Sequence, residues 1–186
     1  HTRSGCDWSS DVCTSDLGEG DILMTLGQRG IGGNGPDLLH SPNDVVIDPE
    51  DGDVFVVDSH RRGMNNRIVH YTAEGEFVKE WGSKGSQKGQ LSEPHTIAMD
   101  SKGRLFVGDR ENNRIQIFSQ EGEFIDECRQ FGRPSGILIT PDDRIYVADS
   151  ESRPDTEAGE AIPAPTAAAP FGTPHWAPPA PSPPHP

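Results

Sequence analysis

His95 and Arg110 are the residues of this sequence whose types and spacing most clearly suggest chemistry. His95 lies in the segment Glu-Pro-His-Thr-Ile, and Arg110 lies in Asp-Arg-Glu-Asn-Asn-Arg-Ile. An imidazole nitrogen can bind a metal ion or carry a proton. A guanidinium suits a carboxylate or a developing alkoxide, to which it donates paired hydrogen bonds. The two side chains are therefore candidates for a binding or catalytic site.

Both residues lie within an internal repeat that covers residues 18–152. One copy spans residues 41–82, a second spans 93–132, and a third begins at 133 and stops at 152, while DILMTLG (21–27) matches the last strand of a copy. Each full copy contains four short strand signals separated by Asp, Asn and Gly turn residues. Four antiparallel strands in a repeat of about 40 residues are typical of a β-propeller blade. A β-sandwich is the alternative, but it does not explain the repeated D-x-x-x-N-R-I motif.

The repeat predicts where the two candidate residues lie. In an antiparallel pair, the start of one strand and the end of the next meet at the same edge. His95 follows the proline that opens the first strand, and Arg110 follows the Asp that ends the second. We therefore expect both at one mouth of a propeller, with His95 nearer the axis. The other copies carry different residues at these two positions: Asn43 and Ser59 in the first, Ser135 and Ser150 in the third.

Residues that recur in every copy are interpreted as scaffold. Asp58, Asp109 and Asp149 each end the second strand of their copy. The segment 66–68 (Asn-Arg-Ile) matches 113–115 in the next copy. We expect each Asp to accept backbone N–H bonds in a turn, and each Arg to bridge neighbouring strands or blades. The three acids are thus assigned to the fold rather than to catalysis.

The other histidines and one cysteine give weaker signals. His60 lies in the loop 59–64 and is either a ligand or acid–base group at the same mouth or an exposed loop residue. His40 and His70 are interpreted as surface residues. Cys128 follows the last strand signal of the second copy and is expected to be buried and reduced.

The two ends of the chain differ from the repeats in composition. Residues 1–17 show no periodicity, and DWSSDVCTSDL (7–17) resembles a translated sequencing-library adapter, so we interpret this segment as an artefactual or disordered leader. Residues 153–186 hold 11 of the 17 prolines and are expected to form a Pro/Ala-rich disordered tail, either a linker or a frameshifted stretch. Without these ends the three cysteines fall to one, and no disulfide is predicted.

Composition limits the partners of the chain. Its 16 Lys and Arg residues stand against 30 Asp and Glu residues, a formal net charge of −14. This charge argues against nucleic acid and anionic membranes as partners. No apolar run approaches the roughly 20 residues of a membrane span. We expect a small-molecule or peptide ligand at the propeller mouth and contacts with remaining blades of a parent chain. The compartment is not assigned, and a secreted or periplasmic parent stays open.

The stretches NDVVIDPEDGDVFVVDSH, NNRIVHYTAEGEFVKEWG and EPHTIAMDSKGRLFVGDRENNRIQIF resemble the NHL-repeat β-propellers. Within that group they most resemble the peptidyl-α-hydroxyglycine α-amidating lyases and their bacterial relatives, over residues 42–152. The resemblance implies an all-β fold and a fragment of about two and a half four-stranded blades out of six. It also implies a metal-dependent carbon–nitrogen lyase that cleaves a C-terminal α-hydroxyglycine to a peptide amide and glyoxylate. These blades alone are expected to be inactive.

The resemblance extends to individual residues. In the amidating lyases a Pro-His histidine from each of three blades binds one zinc ion near the axis, and His95 matches one of these positions. Arg110 matches the arginine that the family places beside the substrate. Asn43 and Ser135 depart from the pattern, so zinc is expected only in the intact parent. The loop with His60 is longer by about four residues and lacks the family's tyrosine, which leaves His60 as a candidate catalytic residue.

Two other functions stay open at this point. A non-catalytic NHL propeller would bind a protein or a sugar through its mouth. A gluconolactonase-like hydrolase would hold a central divalent cation with Asp, Asn and Glu, but the acids here are mostly turn residues. Two further Pro-His blade starts in neighbouring coding sequence would favour the lyase.

Overall fold

The computed structural model describes residues 22–59 and 65–150, together with the backbone of 11–15. These residues belong to one compact unit, residues 1–156, and a second unit, Glu157–Pro186, lies outside the described residues. Among the described residues, no helix is long and apolar enough to cross a bilayer. The strands are β1 Asp11–Ser15, β2 Ile22–Gly27, β3 Pro42–Ile47, β4 Val54–Asp58, β5 Arg67–Tyr71, β6 Phe77–Trp81, β7 Pro94–Met99, β8 Leu105–Asp109, β9 Arg114–Phe118, β10 Phe124–Cys128, β11 Pro134–Ile139 and β12 Ile145–Asp149.

The strands form antiparallel sheets in chain order. Strands β3, β4, β5 and β6 form one four-stranded sheet, blade A, and β7, β8, β9 and β10 form a second, blade B. Strands β11 and β12 pair as half-blade C, and β1 pairs with β2. The first strands β3, β7 and β11 contact one another in sequence. Successive four-stranded sheets that meet through their first strands are propeller blades, so the predicted all-β propeller fold is confirmed.

The middle strands of blades A and B are buried on both faces. Successive side chains of a strand point to opposite faces. In β4, Phe55 and Val57 pack against blade B, whereas Val54 and Val56 pack toward β2. Blade B in turn packs against half-blade C through a cluster that includes buried Phe106. The apolar run of β4 therefore packs on both faces of the blade, and it does not alternate between apolar and polar residues.

Each first strand contains a β-bulge at the mouth end. In blade B, Pro94 pairs with Asp109 and Thr96 pairs with Gly108, which leaves His95 as the extra residue of the ladder. The same shift follows the first proline in β3 and in β11. A bulge re-aims one side chain away from the regular sheet pattern. The first of the two positions at which the repeats differ in residue type, occupied by Asn43, His95 and Ser135, is therefore the bulge position.

The N-terminal segment contains a strand that the sequence does not predict. Residues 1–17 show no strand periodicity, yet the backbone of Asp11–Ser15 pairs with Ile22–Gly27. The β2 strand packs on blade A through Leu26 and Met24, as expected for the last strand of a preceding copy. An unpaired strand edge readily accepts another strand, which accounts for this pairing without a side-chain pattern. The adapter-like origin of the segment stays a prediction.

Candidate functional site

His95 and Arg110 lie at the same end of blade B. Arg110 begins the 3₁₀ turn Arg110–Asn112 that follows β8, and this turn contacts β7. The N–H of Glu111 donates to the Ser92 carbonyl at 3.1 Å, just before β7 begins. The structure therefore brings together the two ends that carry His95 and Arg110, as the strand order predicts. Their roles in binding or catalysis stay predictions.

The His95 ring is held by the next blade along the chain. Its Nδ1 lies 3.1 Å from the backbone carbonyl oxygen of Ser135. A carbonyl oxygen only accepts hydrogen bonds, so Nδ1 carries the proton in this contact. In a neutral imidazole the lone pair is then on Nε2. Nε2 is therefore the ring nitrogen with metal-ligand chemistry.

The corresponding residues of the neighbouring blades have other chemistry. Asn43 donates from Nδ2 to the Pro94 carbonyl at 3.0 Å, and Ser135 donates from Oγ to the Ala148 carbonyl at 3.1 Å. Neither side chain offers an imidazole to a metal ion. Within residues 22–59 and 65–150, no three His, Cys, Asp or Glu side chains form a group that could hold a metal. The described residues thus provide one candidate ligand, His95, and not a complete zinc site.

The turn that carries Arg110 is fixed by both neighbouring segments. Glu111 forms an ion pair with Arg133, which lies just before β11, and its backbone N–H bonds to Ser92. Glu111 and Arg133 belong to no motif that the copies share, so the repeat does not predict their ion pair. His60, the other predicted catalytic residue, lies outside the described residues and stays a prediction.

Asp109 is a scaffold residue, as predicted. Its buried carboxylate accepts the Ser92 N–H at 2.7 Å, Asn112 Nδ2 at 2.8 Å and Arg114 Nε at 2.8 Å. Burial raises the pKa of the Asp109 carboxyl, and the bonds from Ser92, Asn112 and Arg114 act against that rise. Arg114 continues to the carbonyl of Gln87, so it ties β9 to the segment before β7.

Asp58 repeats this arrangement in blade A. It accepts the backbone N–H groups of His40 and Ser41 at 2.9 Å each, and Asn65 Nδ2 at 2.7 Å. Arg67 lies 3.0 Å from the same carboxylate. Because these buried acids are engaged by turn and strand donors, they are poorly suited to hold a central cation. This arrangement weakens the gluconolactonase-like interpretation.

The prediction that His70 is a surface residue is wrong. Its side chain lies in β5 with 7% of the residue exposed, stacked on Phe55 at a ring-centroid distance of 4.3 Å. Nε2 of His70 lies 2.5 Å from Asp53 Oδ2. The physical reason is that β5 is covered on both faces, so a polar residue there is buried too. His40 is half-buried, whereas the expected burial of Cys128 is confirmed.

Comparisons with known sequences agree with the blade architecture. Residues 91–118 match the family model for the NHL repeat. Peptidyl-glycine alpha-amidating monooxygenase B of Xenopus laevis is 33% identical over 169 residues, covering 80% of this chain and 19% of that protein. Human NHL repeat-containing protein 3 is 30% identical over 114 residues, covering 56% of this chain and 33% of that protein. The chain thus spans a third or less of these curated relatives.

A solved structure supports the fold. A catalytically inactive variant of virginiamycin B lyase from Staphylococcus aureus, solved with quinupristin, superposes with a TM-score of 0.51 at 19% identity. The alignment covers 75% of this chain and 42% of that chain. At this identity the likeness concerns the fold alone. Residues 91–118 are therefore an NHL repeat, and the described sheets are propeller blades in a chain similar to the amidating monooxygenases and to NHL repeat-containing protein 3.

Proposed function

We propose that this chain is part of an NHL propeller that cleaves the C-terminal α-hydroxyglycine of a peptide to a peptide amide and glyoxylate. The observation that carries the proposal is the placement of His95 and Arg110 at one end of blade B. These are the positions at which the amidating-lyase resemblance implies a metal ligand and a substrate-binding arginine. The similarity to amidating monooxygenase B supports the proposal.

Arg110 would bind the substrate through its terminal carboxylate. A guanidinium donates two parallel hydrogen bonds to a carboxylate and so fixes its orientation. The ion pair between Glu111 and Arg133 and the bond from Glu111 to Ser92 hold the turn in place. Because the turn fixes the position of the guanidinium before the substrate binds, the entropic cost of orienting the hydroxyglycine carbon is lower.

The proposed reaction breaks one carbon–nitrogen bond. A base removes the hydroxyl proton, the carbon–oxygen bond becomes a carbonyl, and the electron pair of the carbon–nitrogen bond goes to the amide nitrogen. That nitrogen then takes up a proton, so the products are the peptide amide and glyoxylate. His60 is the candidate base, because it lies in the loop that lacks the family's tyrosine, and it lies outside the described residues.

His95 would contribute one imidazole to a zinc site through Nε2. A bound zinc ion would polarise the substrate hydroxyl and stabilise negative charge on its oxygen. The matching residues Asn43 and Ser135 hydrogen-bond to backbone carbonyls and provide no imidazole. The remaining ligands would therefore come from outside the described residues.

A non-catalytic binding module is the second candidate. Asn43 and Ser135 favour it, because two of the three described bulge positions carry hydrogen-bonding residues in place of metal ligands. With Arg110 at the same mouth, such a module would bind an anionic ligand such as a peptide C-terminus.

The test is glyoxylate release from a hydroxyglycine-terminated peptide by the full-length protein that contains these blades, with zinc content measured in parallel. We expect Arg110→Ala to lower kcat/KM by about 100-fold, the loss of a charged hydrogen-bond pair. Arg144→Ala is the matched control, because Arg144 is exposed in the β11–β12 turn. Peptide binding without glyoxylate release would favour the binding module, and neither binding nor release would refute both candidates.

A further inference from the structure

The first and last pairs of described strands carry complementary halves of a blade. Strands β11 and β12 pair like the first and second strands of blades A and B, with the same bulge after the first proline. Strands β1 and β2, named half-blade N, pair like a third and a fourth strand, because the register skips the second residue of β2 as it skips the second residue of β6. Half-blade N therefore has strands three and four of a blade, and half-blade C has strands one and two.

Half-blade C has an open apolar face. Leu138 and Tyr146 point away from blade B, because Ile137 and Val147, their neighbours along the strands, pack against it. Tyr146 is 51% exposed, whereas Phe106, at the same position of blade B, is 2% exposed and packs against half-blade C. Leu138 and Tyr146, named the C face, thus repeat a surface that another blade covers within the chain.

Blade A has an open apolar face on the side away from blade B, next to β2. Val45 is 40% exposed, whereas its counterpart Ile97 is 4% exposed and packs against blade A. Ile47 is also exposed, and together with Val54 it lines a groove of about 440 Å³ between β2 and blade A. Val45 and Ile47, named the N face, thus repeat the surface that blade B packs against blade A.

We propose that two copies of this chain bind head to tail, with the C face of each packed on the N face of the other. The contact repeats the interface between blades A and B, in which Phe55 packs with Leu105. Tyr146 has the repeat position of Phe55, and Val54 has that of Leu105, so Tyr146 of one copy enters the groove of the other. Strand β12 of one copy then pairs with β1 of the other and completes a four-stranded blade. Among the described strands, β12 pairs with β11 alone and β1 with β2 alone, and such free edges readily accept a strand.

Two copies joined in this way close a ring. Each copy has blades A and B and two half-blades, which amount to three blades. Propellers have about four to eight blades, so three do not close a ring and six do. A two-fold axis makes the two contacts identical and leaves neither face open. This inference does not depend on the proposed function.

The test is the mass of the purified 186-residue chain, measured by light scattering and by sedimentation over a range of concentrations. Physiological salt is used, because the net charge of −14 makes the copies repel one another at low ionic strength. We expect a folded dimer of about 40 kDa, twice the 20.2 kDa of one chain, with no growth beyond two copies.

One substitution on each face tests the contact. Tyr146→Glu on the C face and Ile47→Glu on the N face each place a charge in the contact, and each should raise the Kd of the dimer by at least about 30-fold. Leu138→Glu is a second C-face variant, which keeps the test decisive where Tyr146→Glu does not fold. Val78→Glu is the matched control, because Val78 is 42% exposed in the outer strand of blade A and belongs to neither face.

A mixture of the two variants tests the orientation. Tyr146→Glu keeps an intact N face and Ile47→Glu keeps an intact C face. An equal mixture should therefore form dimers through one contact, whereas neither variant should do so alone. The backbone amides of β12 should also exchange with solvent more slowly in the wild type than in Ile47→Glu, although that substitution lies in another strand.

Three results would overturn the proposal. A folded wild-type monomer at all concentrations would leave the two faces to other blades of a longer chain. A mass that grows beyond two copies would exclude the closed ring. A dimer that Ile47→Glu leaves unchanged would place the contact elsewhere on the chain.

Discussion

Blades A and B share a scaffold and differ at the mouth. In each, a buried Asp at the end of the second strand accepts bonds from a turn backbone, an Asn and an Arg: Asp58 with Asn65 and Arg67, and Asp109 with Asn112 and Arg114. At the bulge, however, blade A carries Asn43 and blade B carries His95. The repeated network specifies the blade, while the bulge residue is exchanged without altering it. The residue type at the mouth therefore differs between two blades that share one scaffold.

The largest effect is expected from the shared scaffold. Arg114, with 1% of the residue exposed, pairs with the buried Asp109. Arg114→Ala leaves that carboxylate buried without its cation and should lower the free energy of unfolding by about 3–5 kcal/mol. Arg67→Ala should have a similar effect in blade A. Urea unfolding provides the measurement, and a loss under about 1 kcal/mol in either blade would contradict a common scaffold.

The bonds between first strands should contribute less. Thr96→Val keeps the shape of the side chain but removes the hydroxyl that joins Asp44 to Ile137, and should cost about 2 kcal/mol of unfolding free energy. Thr140→Val is the control, because the Thr140 hydroxyl bonds within an exposed turn. Equal losses of unfolding free energy from the two variants in urea unfolding would show that the bonds between the first strands add no stability of their own.

A tyrosine in blade A distinguishes it from blade B at high pH. Tyr71 pairs with Val54 where Phe118 pairs with Leu105, and burial raises the pKa of Tyr71 to about 12. A raised pKa means that the ionised form is disfavoured in the fold. The contribution of the neutral Tyr71 side chain to the free energy of unfolding is complete below pH 10, the ordinary pKa of tyrosine. This contribution is lost as the pH rises toward 12.

We therefore expect unfolding free energy to fall by about 1 kcal/mol between pH 9 and pH 11 through this residue alone. Tyr71→Phe, which copies Phe118, should lack this part of the loss. Absorbance titration of Tyr146→Phe, in which Tyr71 is the remaining tyrosine of the chain, gives its pKa directly. A midpoint near 10 would contradict the burial of its hydroxyl.

The smallest effect is expected at the surface. Lys79 of blade A pairs with Glu121 of blade B, and this pair lowers the pKa of the exposed Glu121 carboxyl. Because the pKa of Glu121 is lowered, any stabilisation from this pair is present above the ordinary pKa of a glutamate. It is lost as the pH falls through the lowered pKa. Because solvent screens the pair, Glu121→Gln should shift the Tm by less than about 1 °C at pH 7. A fall of several degrees in a thermal melt would mean that the blades depend on surface charge.

Much of the fold could be predicted from the sequence because the copies of the repeat can be aligned with one another. The turn residues, strand order and recurring motifs located the blades, the Asp58 and Asp109 scaffolds, and the shared edge of His95 and Arg110. These features depend on local spacing within one copy.

The features that sequence analysis missed depend on contacts between copies. The His95 bond to Ser135 crosses to another blade, and so does the Glu111 pair with Arg133. His70 is buried because it stacks on Phe55, and blade B packs against the face of blade A that carries Phe55. No local sequence pattern predicts this packing. Such contacts join residues far apart in the chain, and the periodicity within one copy does not predict them.

Glyoxylate release, measured for the full-length wild type and for His95→Asn, decides whether these blades belong to an amidating lyase. We expect the wild type to release glyoxylate from a hydroxyglycine peptide. We expect His95→Asn, with a Tm within about 1 °C of the wild type, to release little or none. Full activity in His95→Asn, or no release by a folded, zinc-loaded wild type, would contradict these expectations.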